Sequence, residues 1–334
     1  MYTTVKRAGL RAAATLAGLA VWMSGTMPAF AQGQAGFPDH PIRIVVPYPP
    51  GGPNDVLGRL LAAGFAEKWK DAAIVDNRPG GSGIIGGKFV TRSAPDGYTL
   101  LIVTPSSTTI NVSLMPGQSF DPVTELAPVS LMANSSLVLV VNNASPVHSV
   151  KDLIAQAKQH PGKLTFGSPG IGSGGHLGGE LFNSLAGVKM THVAYKGGAP
   201  AVSDLLGGQI DMMFADTSIA TPLVKSGKLR AIAVSGAQRS KAFPDLPTIA
   251  ESGVPGYQIV LWFGLAAPAG TPPEIIAALN AETRRIVATP AYQERLAALG
   301  MEAAADTPQA FGTLIRDDIG KWAKIVKSSG ARAE

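Results

Sequence analysis

The chain contains no cysteine, and the other side chains that most often perform catalysis or bind metals are sparse. Without thiols there can be no disulfide, no cysteine nucleophile and no thiolate metal site. The five histidines lack the spacing of metal ligands, so we expect no metal. Carboxylates are scattered singly except for Asp317-Asp318, which we expect on a solvated helix face, and no acid–base pair stands out. These absences favour a binding protein over an enzyme.

Long apolar runs are also missing after the N-terminus. There, three basic residues precede the apolar stretch 12–23, and Ala29-Phe30-Ala31 has the small-x-small form of a cleavage site. We interpret residues 1–31 as a secretory signal peptide cleaved after Ala31. The alternative is a membrane anchor, but a spanning helix needs about 20 apolar residues. Cleavage leaves 303 residues with 25 basic and 23 acidic side chains, a net charge of +2 that does not suggest a nucleic-acid partner.

Short apolar runs alternate with helical patterns throughout the remaining chain, which predicts an α/β fold with largely parallel sheets. The length suggests two lobes. A buried strand at 137–141 would lead out of the first lobe, and the apolar run 259–266 would lead back. We therefore expect lobe 1 to comprise 37–140 plus 262–334 and lobe 2 to comprise 141–261. Each lobe would be a mixed, mostly parallel sheet flanked by helices, and two crossing strands would join them.

A first glycine-rich loop, Pro47–Asp55, separates an apolar strand from a helical pattern. Helix N-termini carry partial positive charge and unpaired N–H donors, so such a loop can bind an anion. No lysine follows the glycines, so the loop is not a nucleotide P-loop. Asn54 or Asp55 is placed to cap the helix, and an ordinary turn is the alternative. The candidate ligand-binding residues here are Tyr48, Pro50, Gly51, Gly52, Asn54 and Asp55.

A second glycine-rich loop, Gly167–His176, has the same strand-to-helix setting. Its Gly170–Gly175 segment matches the dinucleotide pattern, but the acidic residue expected after the next strand is replaced by Lys196. A serine hydrolase is another alternative, although no nucleophile-elbow context is present and His176 is better explained as a structural hydrogen-bond partner. We favour a carboxylate site. Its candidate residues are Ser168, Gly170, Gly172, Ser173, Gly174 and His176.

Three further candidate segments follow strands, one at the same end of the first-lobe sheet as the first glycine loop and two in the equivalent loops of the second lobe. The hydroxyl-rich segment 104–109 supplies Thr104, Ser106 and Ser107, which could donate to a carboxylate or simply cap a helix. Tyr195 begins the loop after a second-lobe strand. Asp216 could face the cleft and pair with a ligand ammonium or hydroxyl, or it could cap the helix that follows it.

Several long motifs, taken together and in order, resemble a known family. They occur at 47–55, 76–81, 94–100, 167–177, 195–200, 204–211, 262–265 and 267–272. Over essentially the whole mature chain the sequence is similar to the Bug-type solute receptors of tripartite tricarboxylate transporters. Pro105 and Asp216 depart from the commonest family pattern, at positions that are expected to contact the distal part of the ligand.

The resemblance implies a periplasmic two-lobe "Venus flytrap" receptor of the periplasmic-binding-protein fold. Such a receptor captures a small carboxylate and presents it to membrane permease subunits. In that family the two glycine loops, here 48–55 and 168–175, hold the ligand carboxylate, partly through water. We expect no enzymatic activity, no cofactor and a monomer. A receptor that docks a membrane sensor kinase is the alternative, and an exported enzyme is a more distant one.

Overall fold

Strands and helices alternate along the chain as the apolar pattern predicts. The structure, a computed structural model, describes residues 36–70, 73–117 and 119–331, and Pro38–Glu334 groups as one compact unit. The predicted signal peptide lies outside the described residues. Within those residues, no helix has the length and apolarity needed to cross a bilayer.

The strands of the described residues form one mixed sheet. They are β1 Arg43–Val46, β2 Ile74–Asn77, β3 Thr99–Val103, β4 Leu126–Asn142, β5 Thr165–Ser168, β6 Thr191–Ala194, β7 Met212–Asp216, β8 Leu229–Val234, β9 Val260–Pro268 and β10 Glu302–Ala303. The main order is β2-β1-β3-β9-β4-β7-β5-β6, and β8 and β10 also pair with β4.

The helices flank this sheet, and their starts follow local sequence rules. They are α1 Pro53–Trp69, α2 Ile84–Thr91, α3 Thr109–Leu114, α4 Val150–Gln159, α5 Gly174–Ala186, α6 Gly198–Leu206, α7 Thr217–Lys225, α8 Pro273–Val287, α9 Pro290–Ala298 and α10 Pro308–Ser329. Four of them begin with proline, whose missing N–H costs nothing at a first helical position. Others begin after a side-chain cap: Ser149 accepts from the N–H of Asp152, in a Ser-x-x-Asp sequence that is typical of a capped helix start.

Strand direction differs between the outer and the central strands, and this difference determines where the loops after the strands lie. The outer neighbours are parallel, with β1 between β2 and β3, and β5 between β6 and β7. The pairings of β4 with β7, β8, β9 and β10, and of β3 with β9, are antiparallel. The sheet is therefore mixed, as predicted: the outer strands are parallel neighbours, and the pairings of the central strands are antiparallel. The carboxyl ends of β1 and β3 meet at one edge, and those of β5 and β7 at another.

The central strand β4 is much longer than predicted. Residues 137–141 were expected as a strand, but β4 begins at Leu126 and pairs with β9 as far as Ser136. Its first part contains Pro128 and several polar residues, and register shifts interrupt its pairing there. Proline and polar residues at bulges interrupt the apolar pattern, so apolar runs alone do not predict such a segment as a strand.

Two apolar clusters cover the faces of the second half of the sheet. One contains Phe166, Leu177, Phe182 and Phe214, and so joins β5 and β7 to α5. The other contains Leu205, Met213 and Ala215, and so joins β7 to α6. Successive β7 residues thus pack on opposite faces, as strand geometry requires. The first of these clusters also takes in Ile110 and Leu114 of α3 and Trp322 of α10.

Candidate ligand-binding site

Hydrogen bonds to the carboxylate of Asp55 hold the first glycine loop in place. The carboxylate oxygens accept from the Gly51 N–H at 3.0 Å, from the Arg59 Nε at 2.9 Å and from the Asn77 Nδ2 at 3.1 Å. These bonds, led by the one from Arg59, lower the pKa of Asp55. Asp55 is thus a positioning residue for the loop. The predicted side-chain cap is wrong, because Gly52 occupies the N-cap position and no side chain bonds there.

The N-terminus of α1 has unused donors and an unused acceptor. Among the described residues, none accepts from the backbone N–H groups of Asn54 and Asp55. The Oδ1 of Asn54 is buried and has no partner there. Pro50 and Gly51 are exposed, and nothing lies within 4 Å of a Cβ added at Gly52. The free N–H groups of the loop therefore border open space in which an anion can bind.

Tyr48 connects this loop to the hydroxyl segment that follows β3. Its hydroxyl lies 2.9 Å from the Thr104 Oγ1, which lies 3.2 Å from the Ser107 Oγ. Thr104 and Ser107 are buried, whereas Ser106 is half-buried. Burial raises the pKa of Tyr48, so its hydroxyl stays protonated. The cluster mostly satisfies itself within its own turn, and it fixes the segment against the first loop.

A third glycine-rich stretch, Gly80–Gly83, adjoins the same cluster, and sequence reasoning did not single it out as a site. A Cβ added at Gly83 would lie 2.6 Å from the Ser107 Cβ. Ser82 takes a left-handed backbone conformation, with φ 51°, and its carbonyl accepts from the Asn111 Nδ2 at 3.0 Å. The Oδ1 of Asn111 is buried without a partner among the described residues. The cue in the sequence was three glycines directly after β2.

Hydrogen bonds made by its own serines hold the second glycine loop in place. Ser173 caps α5 by accepting from the His176 N–H, and its hydroxyl donates to the Gly170 carbonyl at 2.7 Å. Ser168 donates to the same carbonyl at 3.0 Å. No described residue accepts from the backbone N–H groups of Gly174 and Gly175. The N-terminus of α5, like that of α1, therefore retains free donors.

Two stacked histidines support this loop. The Gly172 N–H donates to the His176 Nδ1 at 3.1 Å, and the Ser168 Oγ lies 2.7 Å from the His192 Nε2. The ring centroids are 4.0 Å apart. Burial lowers the pKa of His176 to about 3 and that of His192 to about 4. His176 is the structural hydrogen-bond partner that the sequence predicted, and His192 was missed.

The serine–histidine contact does not have the form of a catalytic pair. Ser168 already donates its proton toward the Gly170 carbonyl, and none of the described carboxylates bonds to His192. A ring with a pKa of about 4 is also a weak base at neutral pH. The arrangement stiffens the loop instead.

Helix α3 brings the second loop to the hydroxyl segment. A Cβ added at Gly172 would overlap the side chain of Leu114 and lie 3.9 Å from Ile110. Because α3 directly follows residues 104–108, the second loop rests on the same element that Thr104 and Ser107 initiate. The hydroxyl segment and the helix that follows it thus adjoin both glycine loops, through the Tyr48–Thr104 hydrogen bond on one side and the close approach of Gly172 to Leu114 on the other.

Tyr195 and Asp216 are the remaining candidates, and their environments differ. The Tyr195 hydroxyl donates to the Asp204 Oδ2 at 2.7 Å, and burial raises its pKa to about 12. That hydroxyl is therefore occupied. Asp216 ends β7 at the N-cap position of α7, yet its side chain makes no capping bond. Capping, the alternative considered for Asp216, is thus not what the structure shows.

Other recesses lie outside these loops. A cavity of about 890 Å³ lies between α10 and the central strands, where it is lined by Trp262, Leu314 and Lys321 among others. The described residues include no cluster of three His, Asp or Glu side chains that could hold a metal ion. The chemistry of the connected loops is that of neutral N–H and hydroxyl donors, suited to a small anion.

Solved structures define the class of protein. R. palustris Rpa4515, solved with adipate, is 37% identical, with a TM-score of 0.81 over 89% of this chain and 99% of its own. MatC from Rhodopseudomonas palustris, solved with bound malate, is 30% identical, with a TM-score of 0.76 over 87% of this chain and 100% of its own. The chain has the two-lobe fold of periplasmic solute-binding proteins.

The family follows from the sequence comparisons. The sequence model of the tripartite tricarboxylate transporter family receptor matches residues 57–331. Protein BugT of Bordetella pertussis is 38% identical over 297 residues, which cover 89% of this chain and 91% of BugT. The chain therefore belongs to the tripartite tricarboxylate transporter receptor family. Members of this family are periplasmic solute-binding receptors rather than enzymes.

Proposed function

We propose that this protein captures a small carboxylate in the periplasm and delivers it to the membrane permease subunits of a tripartite tricarboxylate transporter. The observation that carries the proposal is the pair of helix N-termini, α1 and α5, whose first N–H groups have no acceptor among the described residues. Relatives solved with adipate and with malate support a carboxylate ligand.

The proposed site uses backbone donors and hydroxyls rather than an arginine clamp. The N–H groups of Asn54 and Asp55 would bind from one lobe, and those of Gly174 and Gly175 from the other. Residues 37–140 with 262–334 would form lobe 1, and 141–261 would form lobe 2. Because β4 and β9 both run through the middle of the sheet, bending there would close the loops on the ligand.

Export and assembly complete the proposal. Residues 1–31 would act as the signal peptide, and the mature receptor would begin at Gln32 and remain monomeric. Intact mass of the protein recovered from the periplasm tests the cleavage site, and light scattering tests the monomer. Loss of carboxylate uptake on deletion of the receptor gene would support delivery to a permease. Unchanged uptake with loss of a transcriptional response would instead support docking to a sensor kinase.

The central test is calorimetric titration with a panel of mono-, di- and tricarboxylates, each compared with its neutral amide. We expect at least one carboxylate to bind and its amide not to bind, because helix N-termini favour negative charge. If no carboxylate binds and the purified protein turns over a metabolite, the receptor proposal is wrong.

Gly52→Leu should abolish or strongly weaken binding without unfolding the protein. The backbone of Gly52 has φ −83° and ψ 174°, which leucine adopts freely, and an added Cβ meets no atom within 4 Å. The new side chain would fill the space where the ligand carboxylate is expected, so we predict at least a tenfold weaker Kd by calorimetry, about 1.4 kcal/mol.

Gly320→Leu is the matched control for that experiment. Gly320 lies inside α10, and an added Cβ there also has no neighbour within 4 Å. We expect its Kd to equal that of the wild type. Equal affinity of Gly52→Leu and Gly320→Leu for an identified carboxylate would remove the first loop from the site.

A further inference from the structure

Asp216 ends its strand beside the second glycine loop. Strand β7 pairs in parallel with β5, with Phe166 opposite Met212 and Gly167 opposite Met213. Both strands therefore end at the same edge of the sheet, where β5 leads into the loop. On its other side, Asp216 pairs with Leu137, the point at which β4 enters this half of the sheet. The residue is thus at the edge from which the proposed ligand would be bound.

Strand alternation places the Asp216 side chain on the α5 face. Phe214 packs in the cluster that contains Phe182 of α5, whereas Ala215 packs in the cluster that contains Leu205 of α6. Asp216 lies two residues after Phe214 in the strand, so its side chain is on the same face as that of Phe214. The first turn of α5 lies directly on this part of β7, because a Cβ added at Gly175 would lie 2.7 Å from the Phe214 carbonyl oxygen.

The Asp216 carboxylate has no partner within the described part of the chain. It makes no capping bond to α7, and no hydrogen bond or ion pair reaches it. Asp55, by contrast, accepts from three residues. Burial of Asp216 without a compensating charge or donor raises its pKa to about 6, so that it is still mainly ionised at pH 7.5. Asp216 is half-buried and its oxygens remain accessible from outside the protein, so a donor on a bound ligand can reach a carboxylate that no described side chain satisfies.

We propose that Asp216 selects, among the carboxylates that this receptor binds, those carrying a hydroxyl or ammonium group on the carbon next to the bound carboxylate. The inference rests on the proposed function. A carboxylate held by the Gly174 and Gly175 N–H groups places its adjacent carbon near the end of β7. A donor on that carbon satisfies Asp216, whereas an unsubstituted ligand leaves the Asp216 carboxylate unpaired beside the ligand's negative charge.

Succinate, malate and aspartate test this proposal, because they share one carbon chain and differ only at the second carbon. Calorimetric titrations at pH 7.5 would compare the wild type with Asp216→Asn, and adipate would be included as a longer dicarboxylate. We expect the wild type to bind malate or aspartate at least tenfold more tightly than succinate. In Asp216→Asn this ratio should fall below threefold, mainly through tighter binding of succinate or weaker binding of aspartate.

Asp317→Asn is the control for the loss of one negative charge. Asp317 is exposed on α10, and its substitution should leave the ratio unchanged. The unfolding midpoint of ligand-free Asp216→Asn should equal or exceed that of the wild type, which would show that the variant is folded.

The outcomes separate this inference from the proposed function. If the wild type prefers succinate or adipate, or if Asp216→Asn keeps the tenfold ratio, the role of Asp216 is wrong while carboxylate capture stands. If none of the four ligands binds to either protein, and the wider carboxylate panel also fails, the proposed function itself is wrong and this inference is overturned with it.

Discussion

Between pH 7 and pH 5 the free energy of unfolding is expected to fall by about 2–3 kcal/mol, mainly because of His176 and His192. Burial holds their pKa values at about 3 and about 4, below the ordinary value of 6.5. As the pH falls below 6.5, both imidazoles therefore become protonated in the unfolded chain but stay neutral in the folded chain. Their contribution is fully present above pH 6.5 and decreases through this interval by about 2 kcal/mol for each ring, at 1.36 kcal/mol per pKa unit.

Asp216 acts in the opposite direction. Its pKa is raised to about 6, so the folded state binds a proton that the unfolded state does not yet hold at pH 5. This offsets the loss by about 1 kcal/mol. Of the carboxyl groups with lowered pKa values, Asp55 contributes stability that is lost only at more acidic pH, near and below the ordinary aspartate pKa.

The double variant His176→Asn/His192→Gln isolates the effect of the pair. Asn can still accept from the Gly172 N–H and Gln can still donate to Ser168, but neither side chain titrates. Urea unfolding at pH 7, 6 and 5 should show that the variant escapes the loss of about 4 kcal/mol that the two rings cause. His160→Gln, at an exposed position, should retain the wild-type profile. An unchanged profile in the double variant would contradict the assignment.

The depressed pKa values also explain how the loop keeps its shape. The His176 Nδ1 can accept from Gly172 only while it is unprotonated, so a ring with a pKa of about 3 preserves this bond over the whole neutral and mildly acidic range. Glycine residues that approach a ligand closely are flexible on their own. Here the stacked rings and two serines supply the rigidity, and the backbone N–H groups remain available for the anion.

The sequence predicted the loops and the helices after them because their signals are local. Helix α5 begins at Gly174, within the second glycine loop, as the strand-to-helix setting of that loop predicts. Helix α3 was considered only as a helix that the segment 104–109 could cap. Its bounds were not predicted, because its six residues, Thr109–Leu114, carry too few turns to show a helical period. His192 was missed for a different reason: its contact with Ser168 exists only because β6 pairs with β5 in parallel. Pairwise strand register is a tertiary property that one sequence does not reveal.

The expectation for Asp317-Asp318 is half wrong, and periodicity explains why. Asp317 is exposed, but Asp318 is 6% exposed. Spacing along α10 places Asp318 on the same face as Phe311, Ile315 and Trp322, which are all buried. A lone acid on an apolar helix face indicates a buried carboxylate with dedicated donors. Here the donors come from three separate elements, so a search for neighbouring charged residues could not have found them.

Asp318→Ala is expected to destabilise the protein by about 4 kcal/mol. One oxygen, Oδ2, accepts from the Thr109 Oγ1 at 3.0 Å, the Trp262 Nε1 at 2.9 Å and the Trp322 Nε1 at 2.7 Å. Both tryptophans are buried. Alanine would leave two buried indole N–H groups without an acceptor, and each such group costs about 1–3 kcal/mol. The Thr109 hydroxyl would keep only its longer contact, 3.4 Å to the Pro105 carbonyl oxygen. Because the two indoles belong to β9 and α10, no single rearrangement can satisfy both.

Asp318→Asn and Asp317→Ala provide the comparison. The amide oxygen of asparagine can take the place of Oδ2 but carries no charge, so we expect a loss of about 1–2 kcal/mol. Asp317→Ala removes an exposed carboxylate one residue away and should change stability by no more than about 0.5 kcal/mol. Urea unfolding of the three variants measures the series. If Asp318→Ala costs no more than Asp317→Ala, the carboxylate does not hold the three elements together. If the expected order holds, ligand affinity should fall in parallel, because Thr109 begins the helix on which Gly172 rests.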